Sequence, residues 1–146
     1  MSGPANEAWE ALMSAHARLI RQFGAEDVWQ DLSMREYDVL YTLAKCPGPV
    51  RIGELHRHVL LSQPALSRLV DRLVERGLVE RCADPADRRG VRLSLTAAGR
   101  ERQRAVGRRH ARSVARAVSA ELSAAELRQL AAICWKLARR DEEAPV

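Results

Sequence analysis

Ser62-Gln-Pro-Ala-Leu-Ser-Arg-Leu-Val-Asp-Arg-Leu-Val-Glu-Arg-Gly77, continuing as Leu78-Val-Glu-Arg-Cys-Ala-Asp-Pro-Ala-Asp-Arg-Arg-Gly-Val-Arg-Leu-Ser-Leu95, decides the fold. In the first half Leu66, Leu69, Val70 and Leu73 recur at i, i+3, i+4 and i+7, one apolar face of a helix. Ser62 offers an N-cap oxygen, Pro64 is tolerated in a first turn, and Gly77 stops the helix after Arg76. In the second half the period changes. Residues 78–82 and 91–95 read as short strands, with Val91, Leu93 and Leu95 alternating with Arg92 and Ser94. The polar, turn-rich segment 83–90 between them predicts a hairpin with a charged tip.

Working outward, a short helix is expected over residues 52–59, before the tight turn Val59-Leu60-Leu61. Such turns often carry Gly, so Leu60 predicts a different turn geometry, and Arg51 stands where a Ser or Thr cap is expected. Upstream, Ser33-Met-Arg-Glu36 reads as a capping box opening a helix with Tyr37, Leu40, Tyr41 and Leu43 on its apolar side. Pro47-Gly48-Pro49 ends that helix. A first helix is expected over residues 6–30, from Ala8, Leu12, Ala15, Leu19 and Phe23. Downstream, Thr96 caps a long helix reaching about residue 120, and Ser123-Ala-Ala-Glu126 opens a last one.

The expected fold class is therefore mainly α with a small β-hairpin wing: a winged helix-turn-helix plus a helical dimerisation region. The chain is read as one domain, 1–146. Within it, 33–95 is the winged helix-turn-helix lobe, and 5–32 with 96–141 are the dimerisation helices. Ala105, Val106, Ala111, Val114, Ala117 and Val118 are small enough for close approach of a symmetry mate, with packing inside the chain as the alternative.

This arrangement suits duplex DNA. One helix enters the major groove while the hairpin tip reaches the backbone or minor groove. Arg68, Arg72 and Arg76 are spaced by four, away from the Leu stripe, while Ser62, Gln63, Pro64 and Ser67 sit at or near the leading end. Helix N-termini favour phosphate, and Arg or Gln pairs with base edges. At the tip, Arg88 and Arg89 follow Asp84 and Asp87, and a narrow minor groove attracts Arg. The formal net charge of +5 also favours polyanions.

The run from Leu61 to Arg81, then Asp84-Pro-Ala-Asp-Arg-Arg-Gly90 and Leu93-Ser-Leu-Thr-Ala-Ala-Gly99, resembles the MarR family of bacterial regulators. The resemblance implies a homodimer, a palindromic operator and repression relieved by a small molecule or oxidant. It implies that Arg89 enters the minor groove, Asp87 orients the tip, and Asp71 pairs with a wing arginine. It places Ser62, Gln63, Ser67 and Arg68 against the major groove. It also implies a pocket for a phenolic or aromatic acid, with Trp9, His16, Arg18, Tyr37 and Tyr41 as lining groups.

Other classes remain open on the sequence. Cys82 beside Arg81, or Cys46 after Lys45, would suit a thiol-redox regulator, and a buried structural thiol is the alternative for each. A non-specific architectural DNA binder would share the basic charge. A helical dimer acting as an enzyme or small-molecule binder is the third class. Against catalysis, the sequence holds no Walker loop, no HExxH and no nucleophile–base–orienter set; no cofactor or metal is expected. No signal-peptide pattern and no apolar run of about 18 residues occur, and the three cysteines are far apart. These features predict a cytoplasmic protein without membrane contact.

Overall fold

The computed structural model describes residues 3–138, so positions 139–141 of the predicted 96–141 segment lie outside the described residues. The elements are α1 (Pro4–Gly24), α2 (Met34–Lys45), β1 (Val50–Arg51), α3 (Ile52–His56), α4 (Gln63–Glu75), β2 (Val79–Asp84), β3 (Asp87–Leu95), α5 (Ala97–Ser119) and α6 (Ala124–Ala138). The chain is mainly helical with one small antiparallel sheet in the order β1-β3-β2.

Residues 24–110 form one compact unit, and the described residues on either side form a second. The first unit has a continuous aliphatic core. Leu66, Leu69, Val70 and Leu73 of α4 are buried together with Val39 and Leu40 of α2, Leu55 of α3, Leu78, Val79 and Leu93. The unit reaches past the predicted lobe boundary at residue 95, because the start of α5 packs tightly here. Thr96 donates its amide to the Leu78 carbonyl at 3.2 Å, and Val106 is fully buried. Trp29, Tyr37 and His110 pack their rings at centroid distances of 4.8–5.6 Å, and Tyr41 stacks on Tyr37.

In the second unit α1 buries only Phe23 among its described residues, and α6 buries none. Trp9, Met13, Ile133, Trp135 and Leu137 are all exposed large apolar side chains.

Several boundaries differ from expectation. The first helix ends at Gly24 rather than residue 30. Beyond it Gln30 takes a left-handed backbone at φ 60°, and Trp29 turns inward to the ring cluster. The third helix stops at His56 rather than 59. The strands run further into the hairpin than the polar pattern predicts, leaving Pro85 and Ala86 as the turn. β1 was not predicted. It is a two-residue pairing, Val50 with Leu93 and Arg51 with Arg92, too short to show a period. The predicted box at Ser33 is half formed. The Glu36 amide donates to Ser33 Oγ at 3.1 Å, but the Glu36 carboxylate is taken by Arg76 at 2.6 Å. The box at Ser123 forms in both directions, at 2.8 and 3.2 Å.

Candidate nucleic-acid interface

The helix-turn-helix is α3, a turn and α4. No residue of the turn is left-handed, since the positive-φ residues among those described are Gln30 and Gly77. The turn is held by side chains. Arg35 donates to the Leu60 carbonyl at 3.2 Å, and the His56 ring lies 2.8 Å from the Leu61 carbonyl. Leu60 therefore fits without a glycine, and its side chain is exposed. Arg51 occupies the N-cap position of α3 without a side-chain cap bond.

α4 starts at Ser62, whose Oγ accepts the Ala65 amide at 3.3 Å. Ser62, Gln63, Pro64, Ser67, Arg68 and Arg72 are all exposed, on the side of α4 opposite its buried leucines and valine. Because the Ser62 hydroxyl is engaged as a cap, Ser62→Ala is expected to destabilise the free protein by about 1 kcal/mol. Urea denaturation without DNA measures this, and an unchanged midpoint would show that the cap contributes nothing.

Arg76, the third arginine of the spacing, is turned to a different task. It donates to Asp31 Oδ2 at 2.8 Å and Glu36 Oε2 at 2.6 Å. Arg102 of α5 also pairs with Asp31. This cluster ties the end of α4 to α2 and to the start of α5. Sequence spacing gave no sign of it, because its partners lie 40 or more residues away.

β2 of the wing packs against α4. Asp71 pairs with Arg81 of β2, so a bridge from α4 to the wing exists and its basic end is at the wing base. Behind the bridge lies a gap of about 190 Å³, lined by Ser67, Val70 and Leu93 among others. At the tip, Asp87 Oδ1 accepts the Arg89 amide at 3.0 Å. Arg88 and Arg89 are exposed, and among the described residues no ion pair engages either side chain.

The residue that the site reading missed is Asp84. Its side chain is fully buried at the wing root. It accepts the Ala86 amide at 3.0 Å and Arg51 Nε at 2.6 Å, and forms an ion pair with Arg92 at 3.2 Å. The Ala86 amide bond outweighs the cost of burial and, with the two guanidinium groups, lowers its pKa from 3.8 to about 2. The only sequence signal was the Asp-Pro pair, which reads equally well as a turn.

The predicted effector residues separate into two groups. Tyr37 and Tyr41 stack at 5.9 Å in the 24–110 unit, while Trp9, His16 and Arg18 are exposed on α1 of the other unit. Trp29 and His110 join the tyrosines and were not foreseen. Burial raises the Tyr37 pKa, raises that of nearby Asp38 and lowers that of His110. Cys46 and Cys82 are partly buried, and each thiol lies near a backbone carbonyl, of Thr42 and Arg92 respectively. Among the described residues no cluster of three His, Cys, Asp or Glu can hold a metal, and no helix is long and apolar enough to cross a membrane.

Comparison with known proteins agrees with this geometry. A sequence profile of the MarR family matches residues 30–90. The multiple antibiotic resistance protein MarR of Escherichia coli is 36% identical over 69 residues, 47% of either chain, so the match spans about half of that relative's length. Among solved structures, AbsC, a MarR family transcriptional regulator from Streptomyces coelicolor, superposes with a TM-score of 0.78 at 26% identity, covering 99% of this chain and 98% of AbsC. Sco3205, a MarR family regulator from the same organism solved in complex with DNA, gives 0.79 at 26% identity, covering 95% of this chain and 88% of its own. The profile match falls on the helix-turn-helix and wing, and the structural match runs almost end to end: over residues 30–90 the sequence is similar to the MarR family, and the fold is that of the winged-helix transcriptional regulators of this family.

Proposed function

We propose that this chain is a dimeric, sequence-specific DNA-binding repressor in the cytoplasm, released from a palindromic operator by a small aromatic effector. One observation carries the DNA reading. The exposed Gln63, Ser67, Arg68 and Arg72 of α4 share one compact unit with the exposed Arg88 and Arg89 of the wing. A helix that meets base edges and a tip that meets a narrow minor groove need that fixed pairing. Asp71 and Asp87 support the wing, and Ser62 and Pro64 set the leading turn of the helix.

The dimer reading rests on the exposed large apolar side chains of α1 and α6, the kind of surface that an oligomer interface covers. Two-fold symmetry would then set the two reading helices about 34–36 Å apart, one turn of duplex. The effector reading rests on the rings of Trp29, Tyr37, Tyr41 and His110 in the 24–110 unit. An effector acts here by binding one spacing of the helices more tightly than the other.

Selection of bound duplexes from a random pool tests the proposal. A single two-fold symmetric site is expected, bound about a thousandfold or more tighter than random duplex at physiological salt. Equal affinity for selected and random duplexes would overturn it in favour of an architectural binder. Repeating the selection with aromatic acids tests release.

A further inference from the structure

The wing root holds a buried carboxylate between two arginines, and neither the reading helix nor the tip explains it. β1 and β3 set Arg51 directly opposite Arg92. Like charges facing each other across two strands destabilise a sheet. Asp84 lies against both guanidinium groups, through Arg51 Nε at 2.6 Å and Arg92 at 3.2 Å. Oδ1, the oxygen that faces Arg92, also accepts the Ala86 amide at 3.0 Å, inside the hairpin turn itself, while Arg51 takes Oδ2. The strand register breaks between Ala83 and Asp84. A side chain at Gly90 would crowd this carboxylate, since a Cβ there would stand 3.1 Å from the Asp84 Cβ and 3.3 Å from its Oδ2. One carboxylate thus connects the turn of the wing, the neighbouring strand and, through Arg51, the N-cap position of α3.

We propose that Asp84 is the positioning residue of the wing, fixing the hairpin tip against the helix-turn-helix so that Arg88 and Arg89 meet the duplex already aimed. This rests on the DNA-binding reading above. The tip is built from two consecutive side-chain-to-amide bonds, Asp84 to Ala86 and Asp87 to Arg89. Only the first is tied to the rest of the fold. Holding the tip in its bound geometry beforehand lowers the ordering cost that binding must meet.

Charge and position make opposite predictions. Asp84→Asn removes a negative charge from a protein of formal net charge +5, which by itself strengthens attraction to a polyanion. Loss of aim weakens binding instead. The experiment measures affinity for the selected duplex by fluorescence anisotropy in four proteins: wild type, Asp84→Asn, Arg89→Ala and the double variant. Asp84→Asn is expected to weaken binding about tenfold, and by less than about threefold in the Arg89→Ala background, because the main side chain that it aims is already gone there. Arg51→Gln, which removes the carboxylate's partner from the other side, is expected to follow the same pattern and serves if Asp84→Asn folds poorly. Amide hydrogen exchange on the free proteins gives a readout independent of DNA. Exchange at residues 86–90 should quicken in Asp84→Asn while α4 stays protected.

Unchanged or tighter binding by Asp84→Asn, equal losses in both backgrounds, or exchange at the tip like that of wild type would each overturn the inference. Wild-type protein that binds random duplex as tightly as the selected one would overturn the sequence-specific reading instead. The exchange result would still decide the role of Asp84.

Discussion

Arg89→Ala is expected to weaken operator binding by about ten- to a hundredfold, while folding and dimerisation stay as in the wild type. The side chain is exposed at the wing tip, and among the described residues it makes no ion pair, so its removal leaves no buried group unpaired. Its backbone amide keeps the bond to Asp87 at 3.0 Å. In the complex, a guanidinium in a narrow minor groove gains from the strong negative potential there, and about 1.4 kcal/mol is a factor of ten in affinity. The proposed symmetric dimer would place two such side chains on each duplex, so the loss would count twice. Anisotropy titration at physiological salt checks the affinity, and sedimentation checks the dimer. Unchanged affinity would remove the wing from the interface and leave α4 alone as the reading element. A dimer that falls apart would mean that the residue acts through the fold.

Gly99→Ala should destabilise the free protein by about 3 kcal/mol. A Cβ at Gly99 would stand 1.9 Å from the Leu78 carbonyl oxygen and 2.8 Å from its carbon. That backbone has nowhere to go. The Leu78 amide donates to the Leu73 carbonyl at 3.0 Å and the Leu78 oxygen accepts the Thr96 amide at 3.2 Å. Thr96 Oγ1 donates to the Gly77 carbonyl at 2.6 Å and accepts the Gly99 amide at 3.0 Å. Gly77, at φ +70°, makes the left-handed turn that brings the chain there. Separating α5 from this knot would break several of these bonds together. Alanine also favours a helix over glycine by about 1 kcal/mol, so the sign of the measured change decides between the two effects. A lower urea midpoint means that the clash wins. A higher one would mean that α5 shifts at little cost.

The sequence by itself determined the elements whose cause is local. The leucine spacing of α4, the caps at Ser62 and Thr96 and the alternation at Val91, Leu93 and Leu95 each follow from neighbours within a few residues. Exposure of Ser67, Arg68 and Arg72 follows too, since a polar face opposite a buried helical stripe must meet water, and Arg88 and Arg89 are exposed in a charged, turn-rich hairpin tip. Tertiary structure alone decided which charges are partners. Arg68, Arg72 and Arg76 look alike along the helix, yet only Arg76 ends beside Asp31 and Glu36. Asp84 and Asp87 look alike in the hairpin, yet one is buried between Arg51 and Arg92 while the other is exposed. The end of α1 at Gly24, the two-residue β1 and the joining of Trp29 to His110 were equally hidden. The physical reason is common to all of them. A repeating pattern records burial, which each residue experiences through its own element, whereas an ion pair or ring contact depends on where distant segments of the chain are brought together.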